Sequence, residues 1–359
     1  MDIKIENTYK IPAGPIAGNP TFDIIIENVD IKSKDVMVES VIVDTSILKA
    51  DSFHFKVSNA FDQENSSYKW VDEFFVPGKP IEIKMGYDKK NKTVFEGFIT
   101  LVSFDYTGKG EAVVTVSGMD ASIKMMIGIN SFSWEKKKYS DVVKEIAEKY
   151  SLSTAIDSTE IENEKVEQNR KTNYQFIRDL ANRCNFEFFI KGKKLYFRKP
   201  HKNKDEIVNL DMRRDSISFE VNHDIADQVD TVVVRGWDNK KKEEFEEKAQ
   251  NVEKIGNGKA GSSFVRKLVG LGTIQYIYST ENSRESAKHR AQLILDSIAM
   301  KLVTGKGEWI GSPEIIAGKY AKLDGAGQNL DKLYYIISSR HTMKETGYST
   351  SFELRGNDI

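Results

Sequence analysis

The residues best able to do chemistry are few and far apart. Gly256-Asn257-Gly258-Lys259-Ala260-Gly261 has the lettering of a loop that cradles a dinucleotide pyrophosphate. That chemistry needs a strand before the loop and a helix after it, so that backbone N–H groups face the anion. Residues 243–254 are charged and do not read as a strand, while 264–278 read as one or two strands. The glycine-rich segment is therefore expected to be a flexible surface loop. Ser46-Ile47-Leu48-Lys49 and Ser66-Ser67-Tyr68-Lys69 fit the Ser-x-x-Lys of penicillin-binding enzymes. Neither has a later Ser-Asp-Asn or Lys-Thr-Gly partner, so both read as chance matches.

Metal and nucleophile chemistry fare no better. His54, His201, His223, His289 and His341 are widely separated, and no two have ligand spacing. Cys184 is the only cysteine, which excludes an intrachain disulfide and a multi-cysteine zinc site. It falls on the apolar side of a helical pattern and reads as a small core residue. Carboxylates are abundant, but no pair stands out as the acid and base of a glycosidase. The sequence thus offers no catalytic, cofactor-binding or metal-binding residues, and a structural or binding role is expected.

The elements that position these residues change character along the chain. Ile81, Ile83, Met85 and Tyr87 alternate with Glu82, Lys84 and Gly86, the period of a half-buried strand. Similar runs occupy 22–29, 36–43, 53–57, 94–104 and 112–116, with turn signals at 77–80, 88–92 and 107–110. A barrel or sandwich is expected there. Near Trp134 the period becomes helical. Tyr139, Val142, Val143, Ile146, Ala147 and Tyr150 share one face, with Ser140 as the expected N-cap and Asp141 in the first turn. Thr172-Asn173-Tyr174-Gln175 fits a capping box, followed by the apolar face Phe176, Ile177, Leu180, Ala181 and Cys184. Runs at 186–190 and 195–197 complete a hairpin.

Beyond Pro200 strands return at 231–237, 333–338 and 348–354. A long helix interrupts them, capped at Asn282-Ser283-Arg284-Glu285, with the stripe Ala287, Ala291, Ile294, Leu295, Ile298, Ala299 and Leu302. The charged run from Lys240 to Lys248 reads as a solvated helix face with i,i+4 ion pairs. Trp70, Trp134, Trp237 and Trp309 are scattered and are expected to pack in cores. The fold class is mainly β (α+β), divided into 1–133, a small α/β module of two helices and a hairpin at 134–200, and 201–359 with one long helix.

Composition narrows the class. The 359 residues carry 53 Lys+Arg against 54 Asp+Glu, a net charge of −1, which argues against a general nucleic-acid binder. No run of apolar residues is long enough for a membrane span, and the first 15 residues lack the apolar core of a secretion signal. Synthesis inside the cell, without secretion, is expected.

Several segments, in order, resemble a known family. They are Tyr139-Ser140-Asp141-Val142-Val143-Lys144-Glu145-Ile146-Ala147, Gln168-Asn169-Arg170-Lys171-Thr172-Asn173-Tyr174-Gln175-Phe176-Ile177, Phe186-Glu187-Phe188-Phe189 and Tyr196-Phe197-Arg198. Val232-Val233-Val234-Arg235-Gly236-Trp237-Asp238, Thr304-Gly305-Lys306-Gly307-Glu308 and Gly311-Ser312-Pro313-Glu314 follow. Together, over about 20–355, they resemble the phage late control D family of contractile-tail baseplate hubs and the N-terminal head of VgrG spike proteins. The resemblance implies a homotrimer with two tube-like β-barrels per subunit, giving a pseudo-sixfold ring between a hexameric tail tube and a trimeric spike. It implies tail tube protein, a separate spike, other baseplate proteins and a tape-measure protein as partners, and no cofactor. The chain ends at Ile359, soon after the second expected barrel, so the spike is expected to be a separate polypeptide. The competing expectations are a cell-wall-degrading enzyme, which needs a cleft with a perturbed carboxylate or an activated Cys184, and a cell-surface glycan-binding protein, which needs exposed aromatic rows.

Overall fold

The computed structural model describes residues 18–106, 112–200, 207–238, 241–278 and 283–359. The N-terminal 15 residues, the turn at 107–110, His201, Lys240 and Asn282 lie outside the described residues. The protein is mostly β, as its alternating patterns predict.

The first third contains β1 (Pro20–Ile26), β2 (Val29–Asp30), a 3-10 turn, β3 (Val38–Ser46), β4 (Ser52–Val57), β5 (Phe61–Asp62), β6 (Ser67–Tyr68), β7 (Pro80–Tyr87), β8 (Lys90–Tyr106) and β9 (Ala112–Met119). Ile81, Ile83 and Met85 point inward from β7, with Glu82 and Lys84 half-buried between them. Asp88 and Lys89 adopt left-handed backbone conformations at the β7–β8 turn, as a tight hairpin requires.

The middle contains α1 (Ile123–Met126), β10 (Asn130–Lys138), α2 (Tyr139–Lys149), β11 (Ser153–Ile156), β12 (Glu162–Lys171), α3 (Asn173–Cys184), β13 (Glu187–Lys191) and β14 (Lys194–Arg198). The two expected helices and the hairpin are present. The hairpin is extended by β11, parallel to β14, and β10 pairs with β12 as a separate ribbon. Ser140 is not the cap of α2. Helix α2 leaves β10 directly, so Lys138 holds the extended cap position and Ser140 turns inward. Its backbone N–H donates to Thr159 Oγ1 at 3.3 Å, which caps the helix from a neighbouring loop. The Thr172–Gln175 capping box forms in both directions.

The last part contains β15 (Ile207–Asp211), β16 (Ser216–His223), β17 (Thr231–Asp238), β18 (Glu243–Ala249), α4 (Gly261–Val269), β19 (Ile274–Tyr278), α5 (Arg284–Ala299), β20 (Val303–Ile310), β21 (Tyr320–Asp324), β22 (Leu333–Lys344) and β23 (Gly347–Gly356). Two expectations fail here. The charged run is the strand β18, not a helix, because only Phe245 and Ala249 need burial and its acids find partners on the neighbouring strand and on α5. Arg235 Nε lies 2.6 Å from Glu246 on the paired strand. Residues 264–269 are helical, not extended. Helix α4 closes on Gly270, which takes a left-handed conformation and returns its N–H to Arg266 O.

Thirteen strands form one sheet, ordered β16-β20-β23-β22-β3-β4-β9-β8-β7-β1-β2, with β21 and β15 branching from β22. Strands from both ends of the chain meet at β22 and β3, from Ser338 opposite Ser46 to Lys344 opposite Ser40. Met343 and Tyr348 of the β22–β23 hairpin enter the N-terminal core beside Val41, Phe55 and Ile83. A smaller sheet, β18-β17-β19, packs Val232, Val234 and Phe245 against Ala287, Ala291 and Leu295 of α5. No helix of the described residues is long and apolar enough to cross a membrane.

Candidate functional site

The glycine-rich segment lies between a strand, β18, and a helix, α4, so the order demanded of a nucleotide loop is present after all. Its amides are nevertheless taken. Asp358, near the end of the chain, accepts from Gly256 N at 3.3 Å and from Gly258 N at 2.7 Å. A Cβ on Gly256 would lie 2.7 Å from that carboxylate, and one on Gly258 2.8 Å from it. A Cβ on Gly261 would meet the Gln228 amide at 2.4 Å. The glycines serve close internal contacts. An anion from solvent would have to displace a buried carboxylate, so the segment is not a ready nucleotide site.

The remaining sequence candidates are dispersed. Ser46 is buried at the end of β3 and accepts from Leu48 N at 3.0 Å. Lys49, Ser66 and Lys69 lie on surface turns, with no Ser–Lys contact. His54 is half-buried on the outward face of β4, and burial holds its imidazole below the ordinary range. His223 is exposed, and His289 lies 3.6 Å from Glu160. His341 is fully buried, with Nδ1 2.8 Å from the Tyr348 hydroxyl. Burial lowers its pKa to about 3, so it is a neutral core residue. Among the described residues, no group of three His, Cys, Asp or Glu could hold a metal.

A cleft of about 780 Å³ separates the α/β module from α5. Cys184, Glu160, His289 and Asp296 line it. Burial pushes the Cys184 thiol up to about 12, and Sγ donates to Leu180 O at 3.0 Å within its own helix. A thiol so held is a poor nucleophile. Burial raises the Asp296 carboxyl to about 6, but it accepts from Gln292 at 2.9 Å and from Asn185 at 3.1 Å. The Asn185 bond ties α5 to the end of α3.

A second surface is the outward face of the long sheet where its halves meet. A shallow trough crosses β3, β22, β23, β20 and β16 there. Arg340 grips Asp44 with two bonds, at 2.7 and 3.2 Å, across the β22–β3 joint. Lys306 lies 2.9 Å from Glu220, and Ser338 donates to Glu353 at 3.0 Å. One face is thus apolar and closed, while the other carries mixed charge at the joint and exposes Leu101, Phe104 and Tyr106 on β8 and Ile217 on β16.

Beneath the joint, buried polar groups fix the neighbouring turns. Asp51 accepts from Ser46 N at 2.7 Å, and Asp120 accepts from Asp51 N and Ser122 N, both at 2.7 Å. Burial, opposed by Lys191, raises Asp51 to about 7, and burial raises Asp120 as well. Arg178 of α3 reaches Leu48 O at 2.6 Å, locking the module onto the same turn. Glu187 accepts from Arg198 at 3.1 Å and from the Tyr335 hydroxyl at 2.6 Å, joining the module to β22. Sequence reading found none of these contacts, because the bonds of Asp120 to Asp51, Arg178 to Leu48 and Tyr335 to Glu187 join residues distant in the chain and the local ones form only once those are in place.

The tryptophans divide. Trp134 and Trp309 are buried and Trp70 is half-buried, but Trp237 is not in a core. Its β17 position points away from α5. With Ile274, Tyr276 and Tyr278 of parallel β19, it forms an exposed aromatic row on the small sheet. Arg235 stacks over Tyr276, 4.6 Å from the ring centre.

The family model described as the Alg8 N-terminal domain matches residues 17–345. No curated protein matches the sequence. The fold is similar to that of the 43 kDa tail protein of prophage MuSo2 from Shewanella oneidensis, with a TM-score of 0.70 and 10% identity over 94% of this chain and 98% of that one. It is similar to a tail protein from Neisseria meningitidis MC58, with a TM-score of 0.65 and 12% identity over 94% and 97%. A third similarity is to the E. coli c3393 protein, a type VI secretion component that resembles T4 bacteriophage tail proteins gp27 and gp5. There the TM-score is 0.61, with 11% identity over 93% and 76%. At these identities the shared property is the fold.

Proposed function

The chain belongs to the family described as the Alg8 N-terminal domain, and from the fold it shares with tail proteins we propose that it is a structural component of a contractile tail or tail-like injection particle. Its place is the baseplate hub, as in the late control D proteins. Three copies surround an axis, each contributing two β units, so six similar faces meet the tail tube while the threefold side seats a separate spike. Residues 1–133 supply one tube-like β-barrel, 201–359 the other, and 134–200 the module between them. No catalysis is assigned to it.

The observation that carries this reading is the β22–β3 joint. Antiparallel pairing from Ser338 opposite Ser46 to Lys344 opposite Ser40 holds the two β regions side by side in one sheet. A symmetry adaptor needs such a rigid, doubled wall. Light scattering on the purified protein, alone or with its spike, is expected to give about three times 40.8 kDa. A strict monomer absent from purified particles would refute the proposal.

One observation favours a second reading, binding to cell-surface glycan. The row of Trp237, Tyr276 and Tyr278 presents rings to solvent beside Arg235 and Glu246. Rings of this kind stack on apolar or cationic groups, and the neighbouring charges could bond sugar hydroxyls. Co-sedimentation with purified bacterial cell walls tests it, and no sedimentation above a protein control removes it.

A further inference from the structure

We propose that the loop at 253–259 is a carboxylate receptor whose ligand is the chain's own Asp358, and that this contact straps the small β18-β17-β19 sheet to the long sheet. Neighbouring backbone N–H groups that converge on one point make a concave anion site. Here Gly256 N and Gly258 N supply that site, and the Asp358 side chain fills it. The carboxylate is buried, with 1% of Asp358 exposed.

The neighbouring residues extend the contact into a clasp. Asn357 Oδ1 accepts from Ile255 N at 2.8 Å, and Asn357 Nδ2 donates to Glu253 O at 2.8 Å. Ile359 and Lys259 exchange backbone bonds of 2.6 and 3.0 Å. Lys332 donates to Asp358 O, and Lys254 to Gly258 O at 2.7 Å. Ile255, at the middle of the loop, is buried with Ile47, Met300 and Tyr335 under the long sheet. The loop follows β18 and leads into α4, whereas residues 357–359 follow β23. The clasp therefore joins an insertion between β16 and β20 to the last strand of the long sheet. Closure requires β23 to be in place, because pairing of β23 with β20 and β22 brings Asp358 to the loop.

The glycines make the idea testable. The three atoms nearest an alanine methyl at 256 would all belong to Asp358, the closest being Oδ2 at 2.7 Å. Gly256→Ala should therefore expel the carboxylate and reproduce Asp358→Ala, while the double variant should behave like either single one. Hydrogen exchange by mass spectrometry on the full chain would follow peptides covering 253–261, β18 and α4 against β3, β22 and β23. Trypsin cleavage after Lys254 and Lys259 would give an independent rate. Each single variant is expected to raise exchange and cleavage in the first group about tenfold or more, with the long sheet unchanged. Unchanged exchange in Asp358→Ala, additive effects in the double variant, or equal loss of protection in the long sheet would each overturn the proposal. If Asp358→Ala does not fold, Asp358→Asn, which retains one carbonyl acceptor, should show the same local pattern with a smaller rise. Failure of Asp358→Asn to show it would also overturn the proposal. The strap does not depend on the tail reading, so either can fail alone.

Discussion

Trp309 and Trp237 hold comparable places in two sheets and meet opposite fates. Trp309, on β20 of the long sheet, is 0% exposed and packs at 5.1 Å from Phe352 and 5.7 Å from Phe219. Trp237, on β17 of the small sheet, is 48% exposed. Each sheet has one closed face, covered in the small sheet by α5. The difference lies in what the open face carries. Where its halves meet, the long sheet shows Arg340, Lys306 and Glu220 to solvent, with exposed rings farther out on β8 at Phe104 and Tyr106, whereas the small one shows Trp237, Tyr276 and Tyr278 together. A polar open face can remain wet at no cost, but an aromatic one gains from being covered. At the joint the long sheet accordingly presents a polar wall, and the small sheet a row of rings that would gain from a cover.

The largest expected effect sharpens the first half of that contrast. Trp309→Ala empties a closed core and should cost about 3–5 kcal/mol in urea unfolding. A loss below about 1 kcal/mol would mean that the core re-collapses around the site and that the wall is less rigid than its packing implies. The next effect concerns the turns beneath the β22–β3 joint. Asp51 has a folded pKa of about 7 against an ordinary 3.8. Between those values the folded protein keeps a proton that the unfolded chain has released, so stability from this group falls as pH rises from 3.8 to 7. His341 acts in the opposite sense. Its pKa of about 3, against an ordinary 6.5, makes stability fall as pH drops from 6.5 towards 3. Asp51→Asn keeps an oxygen for Ser46 N and removes the first slope alone. Urea midpoints at pH 4 and pH 8 should then show the variant gaining on the parent protein at the higher pH, on the order of a few kcal/mol. Parallel pH profiles for the two proteins would contradict this account of the joint.

How much of this was legible depended on whether the interaction was local. The Thr172–Gln175 capping box is a four-residue signal, and it forms as expected. Thr172→Ala should cost about 1 kcal/mol, read from the thermal or urea midpoint. The alternation of Tyr348, Thr350, Phe352 and Leu354 is likewise local and places all four inward. Strand β18 escaped because a strand covered on one face needs few apolar residues, and its glutamates answer Arg235 and Arg284 from other elements. Helix α4 was mistaken for a strand because Phe264, Val265 and Val269 favour extended structure as isolated residues, whereas Gly270 and the Arg266–Asp230 bond at 2.8 Å close it as a helix. The joint and the clasp were invisible, since Asp358 and Gly258 are 100 residues apart and Ser46 and Ser338 are paired only by the completed sheet. The tail-protein likeness was nevertheless readable from segment order, because order along the chain survives where individual contacts cannot be seen.

The smallest expected effect on stability separates the two roles of an aromatic side chain most cleanly. Trp237→Ala removes a half-exposed ring from an open face, so no sealed cavity forms and the unfolding midpoint should move by no more than about 0.5 kcal/mol. The same truncation at Trp309 empties a core, so the pair measures how differently the two sheets use one residue type. Binding should reverse the order. If the small sheet is a contact surface, Trp237→Ala will weaken incorporation into particles or sedimentation with cell walls while the fold stays intact. Loss only from particles assigns the aromatic row to a protein neighbour, whereas loss only from cell walls assigns it to glycan. A variant that keeps both would show that the row is covered by neither, and the contrast between wall and contact surface would then rest on burial alone.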